Sequence, residues 1–161
     1  MKNDPETKRY ETASGVEVFK LPAEAFPNHV TNCYLVLGDE VTLIDAGSGW
    51  DSCNESLLQA FSEVREDFGV PVKIEDVDRL ILTHGHIDHV GGIDGIAGPT
   101  VHAYLHPDDL DMARHPGEQL RALMGAMAPE LVGSLVHTEF IPLEAGSTLD
   151  LAGQRFEVLF T

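Results

Sequence analysis

One ten-residue stretch, Thr83-His84-Gly85-His86-Ile87-Asp88-His89-Val90-Gly91-Gly92, constrains this chain more than any other part of it. Three of the eight histidines and an aspartate fall within six residues, directly behind the apolar run Leu80-Ile81-Leu82. Neutral imidazole and carboxylate are ligands for zinc-type metals, and a strand end holds them better than a floppy tail. His84 and His86 are two apart, so on extended backbone they project to the same side and can pinch one ion. Asp88 and His89 follow a turn, point elsewhere and suit a second, adjacent ion. Gly85, Gly91 and Gly92 let the backbone curl closely around ions. Two plainer readings compete with this one. A merely polar loop would leave three crowded imidazoles to find hydrogen-bond partners. A structural zinc would call for a closed four-ligand set rich in cysteine, and this loop has no cysteine. The loop reads as catalytic.

Around that loop the chain alternates strands and helices. Its 161 residues are 43% hydrophobic and 23% charged with a mean hydropathy of −0.06, the balance of one globular domain. Residues 1–14 are polar, a flexible N-terminus or an edge extension. Val16 to Leu21 alternates apolar and polar as a half-buried strand does. A loop with Pro22 and Pro27 follows. Cys33–Leu37 and Val41–Ile44 then form a hairpin about Gly38-Asp39-Glu40. Asp51 or Ser52 can cap a helix carrying Leu57, Leu58, Phe61, Val64 and Phe68. Val77–Thr83 is the strand before the histidines, and a short helical segment from Gly91 to Pro99 leads to a strand at Thr100–Tyr104. Residues 107–137 are a helical insertion, broken at Pro116-Gly117 and helical again over Gln119–Met127. Its Leu120, Leu123, Met124 and Met127 are either a packing face or the wall of a pocket for an apolar or acyl-bearing substrate. Strands resume at Phe140–Leu143, Ser147–Leu151 and Arg155–Phe160. The order is that of an α/β layered fold.

Charge narrows the partners. The 27 acidic residues against 10 basic ones give a net charge of −17, which repels nucleic acid and anionic membranes alike. No stretch reaches the roughly eighteen apolar residues of a membrane span. The charged first thirty residues hold no apolar run of signal-peptide length. Cys33 and Cys53 are too few for a disulfide framework and read as buried thiols. These features point to a cytoplasmic protein acting on a small-molecule substrate.

The string THGHIDHVGG resembles the HxHxDH signature of the metallo-β-lactamase superfamily, placed, as in that family, at the end of an apolar strand. Asn32-Cys33-Tyr34-Leu35-Val36 is similar to its N-x-Y-L-V strand, and Leu43-Ile44-Asp45-Ala46-Gly47 to its L-I-D-x-G loop. The likeness covers Val16 to about Tyr104 well, and Phe140 to Thr161 more loosely. It implies the front part of a four-layer αββα fold. It also implies that His84 and His86 bind a first metal, that Asp88 and His89 bind a second, and that Asp45 lies just behind them. Two zinc ions are implied, with iron or manganese as alternatives, and Asp88 as a catalytic residue that orients or deprotonates water.

Such a family needs further ligands: a histidine in a T-P-G-H-type loop, a bridging aspartate and a last histidine. The chain ends at Glu157-Val158-Leu159-Phe160-Thr161, the way the strand before that loop reads. The departure is thus expected to be a truncation, with the remaining ligands beyond Thr161. His29, His102, His106, His115 and His137 could donate, His102 and His106 least implausibly, although none has motif spacing to another. A half-sheet would leave faces such as Leu80/Leu82 or Phe156/Val158 uncovered and favour a homo-oligomer. The leading expectation is a metal-dependent hydrolase of an ester, thioester or lactone, with the 161 residues alone lacking the full site. The alternatives are a mononuclear-iron persulfide dioxygenase and a non-catalytic binding fragment. A nuclease is disfavoured by the charge.

Overall fold

Leu35 and Val36, Leu43 and Ile44, and Leu80 and Ile81 are neighbours in sequence that serve opposite faces of one sheet. The first of each pair joins the main core and the second a smaller apolar cluster behind it. Side chains alternate along a strand, so consecutive apolar residues mean a sheet covered on both sides. The computed structural model describes residues 6–96, 101–125 and 139–159.

The sheet holds seven strands in sequence order: β1 (Lys8–Glu11), β2 (Glu17–Phe26), β3 (His29–Val36), β4 (Thr42–Ile44), β5 (Arg79–Ile81), β6 (His102–Leu105) and β7 (Phe140–Pro142). The pairings from β1 to β4 are antiparallel and those from β4 to β7 parallel. Helix α1 (Asp51–Glu66) lies on the main-core side and buries Cys53, Leu57, Ala60, Phe61 and Val64. Full burial of a side chain such as Phe61 stabilises by about 1.5–3 kcal/mol. Leu58, one step round the helix from Leu57, is half exposed. On the other face sits a hairpin of β8 (Thr148–Leu151) and β9 (Gln154–Glu157), which lays Leu149, Leu151 and Phe156 against Val36 and Ile81. Helices, the large sheet and this two-stranded second sheet are three of the layers expected.

Several expectations change. Of the two readings of residues 1–14, residues 8–11 follow the edge extension and not the flexible N-terminus, because Lys8–Glu11 pairs in register with Lys20–Glu17. The strand expected to stop at Leu21 runs through Pro22 to Phe26. Since β1 covers only Glu17–Lys20, Pro22 lies at an open edge, where a strand tolerates a missing N–H. The turn that follows is Pro27-Asn28, with Asn28 at φ 64°. Trp50, and not Asp51 or Ser52, caps α1, its N–H donating to the Ser48 hydroxyl. Leu80 and Leu82, expected to be left uncovered, are buried in the main core, whereas Phe156 and Val158 are half-buried.

The insertion begins with a 3-10 turn at Pro107–Asp109 and continues as α4 (Leu110–Arg114) and α5 (Pro116–Met124). Pro116 opens α5, the one helical position where a missing N–H costs nothing. A short helix already forms within the histidine stretch, α2 (Ile87–Val90), which carries Asp88 and His89, and the segment after it forms α3 (Ile93–Ile96). Residues 1–5, 97–100, Met127, His137, the rest of the insertion and Phe160 lie outside the described residues.

Candidate metal centre

Strands β4 and β5 are parallel neighbours, with Ile44 beside Ile81. The loops leaving their C-terminal ends therefore start side by side, the usual place for ligands in such sheets. Asp45 is the first residue of one loop, and its N–H donates to Ile81 O at 2.8 Å. It is buried, with φ 63°, a left-handed conformation that aspartate accepts more readily than most residues. Its carboxylate accepts from the Thr83 N–H at 2.8 Å and from the Thr83 hydroxyl at 2.9 Å, and lies 2.8 Å from His89 Nδ1.

That network assigns protons to two histidines. A carboxylate facing Nδ1 of His89 puts the proton there and leaves the Nε2 lone pair free. The single proton of the Thr83 hydroxyl goes to Asp45, so Thr83 Oγ1 accepts from His84 Nδ1 at 3.0 Å. His84 Nε2 is then bare, and it faces His86 Nδ1 at 3.0 Å. Burial, reinforced by the charges of His89 and His86, lowers the His84 pKa and keeps it neutral. Burial works against charging His89 too, but the hydrogen bond and charge of Asp45 and the charge of Asp88 outweigh it and raise its pKa.

Asp88 stands in the first turn of α2, its Oδ2 3.5 Å from His89 Nε2 and 3.0 Å from His29 Nε2. Burial would raise its pKa, yet the His29 hydrogen bond and the charges of His89 and His29 hold it below the usual carboxylate value. The four residues singled out from sequence, His84, His86, Asp88 and His89, thus share one end of the sheet. They form one contiguous group and not two pairs turned apart. The His84 ring lies 4.1 Å from that of His89 and 4.7 Å from that of His86. His89 faces back because Asp45 pulls it there.

The donor chemistry fits a divalent metal: the imidazoles of His84 and His89 with tautomers set by Thr83 and Asp45, the carboxylate of Asp88, and two imidazole nitrogens of His84 and His86 approaching each other. Among the described residues, no three His, Cys, Asp or Glu side chains gather closely enough to hold an ion as a set.

His29 has no motif spacing to another donor, and sequence reasoning counted it only among the histidines that could donate, behind His102 and His106. The β2–β3 turn carries it to Asp88 from 59 positions away, a distance that sequence spacing does not report. His102 falls at the start of β6 opposite Arg79, the end of the sheet away from the cluster. His106, just past β6, lies at the cluster's end, lines a groove with His84, and accepts from the Asp108 N–H of the 3-10 turn. Gly91 and Gly92 let the loops pack tightly: a side chain on either would strike the backbone of Ser48 or Ala46. In the insertion Leu120 belongs to the core, whereas Leu123 and Met124 line a cavity of about 650 Å³ that opens beside His86 and Asp88.

Residues 27–159 match the model of the metallo-beta-lactamase superfamily. Over 61 residues the chain is 39% identical to YqjP, a probable metallo-hydrolase of Bacillus subtilis (strain 168), a match covering 38% of this chain and 17% of that protein. The metallo-beta-lactamase family protein TTHA1429 from Thermus thermophilus has a TM-score of 0.62 at 24% identity, over 88% of this chain and 50% of its own. MEM-A1, a subclass B3 metallo-beta-lactamase from a soil metagenome library, has a TM-score of 0.62 at 19% identity, over 100% of this chain and 55% of its own. Both likenesses are of fold. The chain spans about half the length of these two structures. No helix among the described residues is long and apolar enough to cross a membrane.

Proposed function

The chain belongs to the metallo-beta-lactamase superfamily, and on that premise we propose that it carries the metal-ligating part of a hydrolase. The substrate is a small molecule with an ester, thioester or lactone bond. The observation that carries this reading is the meeting of His84, His86, His89 and Asp88 at the ends of β4 and β5, with Asp45 and Thr83 fixing the imidazole tautomers.

His84 and His86 would hold one ion, and Asp88 and His89 a second. Zinc suits these donors, and iron or manganese accepts them too. When bound, such a metal polarises a carbonyl and acidifies water toward neutrality. Asp45 presents His89 Nε2 outward and, through Thr83, does the same for His84 Nε2. Asp88, ionised and facing the cluster, orients water and accepts its proton at a carboxylate oxygen. Phe26, Pro27, Leu123 and Met124 line the cavity beside Asp88, which supports an apolar or acyl group on the substrate. The buried free thiols Cys33 and Cys53 support a cytoplasmic setting.

The test is metal analysis of the purified protein together with ester, thioester and lactone substrates, with and without chelator. Chelator-sensitive turnover of one class supports the proposal. Iron as the bound metal, with oxygen uptake on a glutathione persulfide, would replace it with the dioxygenase reading. Bound metal without turnover would leave a binding module.

A further inference from the structure

We propose that Asp109 and Gln119, both in the helical insertion, are positioning residues that hold the backbone on either side of His86 and so set the aim of the metal-ligating side chains. This rests on the reading of the loop as a metal centre.

The Leu82 N–H still donates to Tyr104 O at 2.9 Å. From there to the start of α2 the loop has no ladder or helix of its own, yet its backbone groups need partners. Three alternate N–H groups find them in side chains from three different elements. The Thr83 N–H donates to Asp45 at 2.8 Å, the Gly85 N–H to Asp109 Oδ1 at 3.1 Å, and the Ile87 N–H to Gln119 Oε1 at 3.0 Å. His84, His86 and Asp88 interleave with these three anchors. Gln119 closes the clamp from its other end, its Nε2 donating to Gly85 O at 2.9 Å and to Met112 O at 2.8 Å. One side chain thus grips the loop both before and after His86 and ties it to α4.

The contact leaves no play. Gly85 is buried, and a Cβ there would lie 2.8 Å from Asp109 O and 3.2 Å from Met112 Cβ, so the insertion is seated directly on the loop. An insertion that served only to cover the sheet would have no need to bind loop N–H and C=O groups in this alternating order. Outer partners of this kind commonly set metal affinity by about 10- to 100-fold.

Three measurements on the whole chain test the proposal: zinc affinity by competition with a chromophoric chelator, the visible spectrum of the cobalt-loaded protein, and amide hydrogen exchange at Gly85 and Ile87. Asp109→Ala and the size-conserving Gln119→Met should weaken zinc binding by about tenfold or more, shift the cobalt spectrum, and speed exchange at Gly85 and Ile87 respectively. Asp109→Asn, which keeps an oxygen for the Gly85 N–H, should restore all three. Wild-type affinity, spectrum and exchange in both variants, with only the melting temperature lowered, would overturn the proposal and leave a packing role. If Asp109→Ala fails to fold, Gln119→Met and Asp109→Asn still decide between these outcomes. If the unsubstituted chain binds neither zinc nor cobalt, the metal reading fails. Exchange then judges the clamp alone, and unchanged exchange in Gln119→Met overturns it.

Discussion

The carboxylate of Asp45 lies 2.8 Å from Nδ1 of His89, a partner 44 positions further along the chain, and also accepts the Thr83 hydroxyl proton. One buried aspartate thereby sets the tautomer of one histidine directly and of another through a threonine. Asp45→Asn should therefore disturb two metal donors without removing either. An asparagine amide can turn its NH₂ toward Nδ1 and stabilise the wrong tautomer. The expected result is a loss of metal affinity of about 10- to 100-fold in a folded protein, read by chelator competition. Unchanged affinity would show that Asp45 serves only the loop fold.

The same contact predicts a pH dependence for the metal-free chain. The folded pKa of His89 is raised above its unfolded value of about 6.5. Its contribution to stability is then fully present below about pH 6.5 and is lost as pH rises through the raised folded value. The stability gap between the unsubstituted chain and His89→Gln should be widest near pH 6 and narrow toward pH 8. Chemical denaturation at a series of pH values measures it, and a gap that widened with pH would reverse the sign argued here.

His84 and His86 approach nitrogen to nitrogen at 3.0 Å. Replacing both with alanine should remove at least one equivalent of bound metal and abolish turnover, as judged by elemental analysis and assay of the same preparation. Full metal content with retained activity would sink the assignment of these two residues.

Asp88→Asn keeps the size of the side chain and removes its charge. General acid–base roles are worth about 10²–10⁴-fold, so kcat should fall on that scale while KM changes little. A change confined to KM would make Asp88 a binding or structural residue.

Among the described residues no three donors gather as a set, so on the proposed reading each ion would take only two protein ligands. The 161-residue chain should therefore bind zinc weakly and release it quickly to a chelator. Slow, tight, stoichiometric retention of two ions would show that donors beyond those pairs take part.

Local spacing was enough for much of this. The alternation of Val16 to Leu21, the Gly38-Asp39-Glu40 hairpin, the helix carrying Leu57, Phe61 and Val64, and the crowding of His84, His86, Asp88 and His89 are all short-range patterns. Side-chain period and turn chemistry dictate them without reference to the rest of the chain. The L-I-D-x-G likeness also placed Asp45 near the histidines, although not the left-handed backbone that aims its carboxylate at His89.

The tertiary structure decided what distance along the chain conceals. Whether the tail pairs is a matter of register, and Lys8–Glu11 found an open edge on β2. His102 and His106 are four residues apart, yet they fall at opposite ends of β6, and only the direction of the parallel strands says which end carries the site. His29 meets Asp88, and Gln119 meets Gly85 and Ile87, because a hairpin turn and a helical insertion happen to converge on one loop. The sequence by itself determined which imidazole and carboxylate side chains crowd into one loop, since composition and short spacing are local properties. Which groups orient them was left to the fold, because parallel strands and packed insertions bring together residues whose separation along the chain holds no trace of the contact.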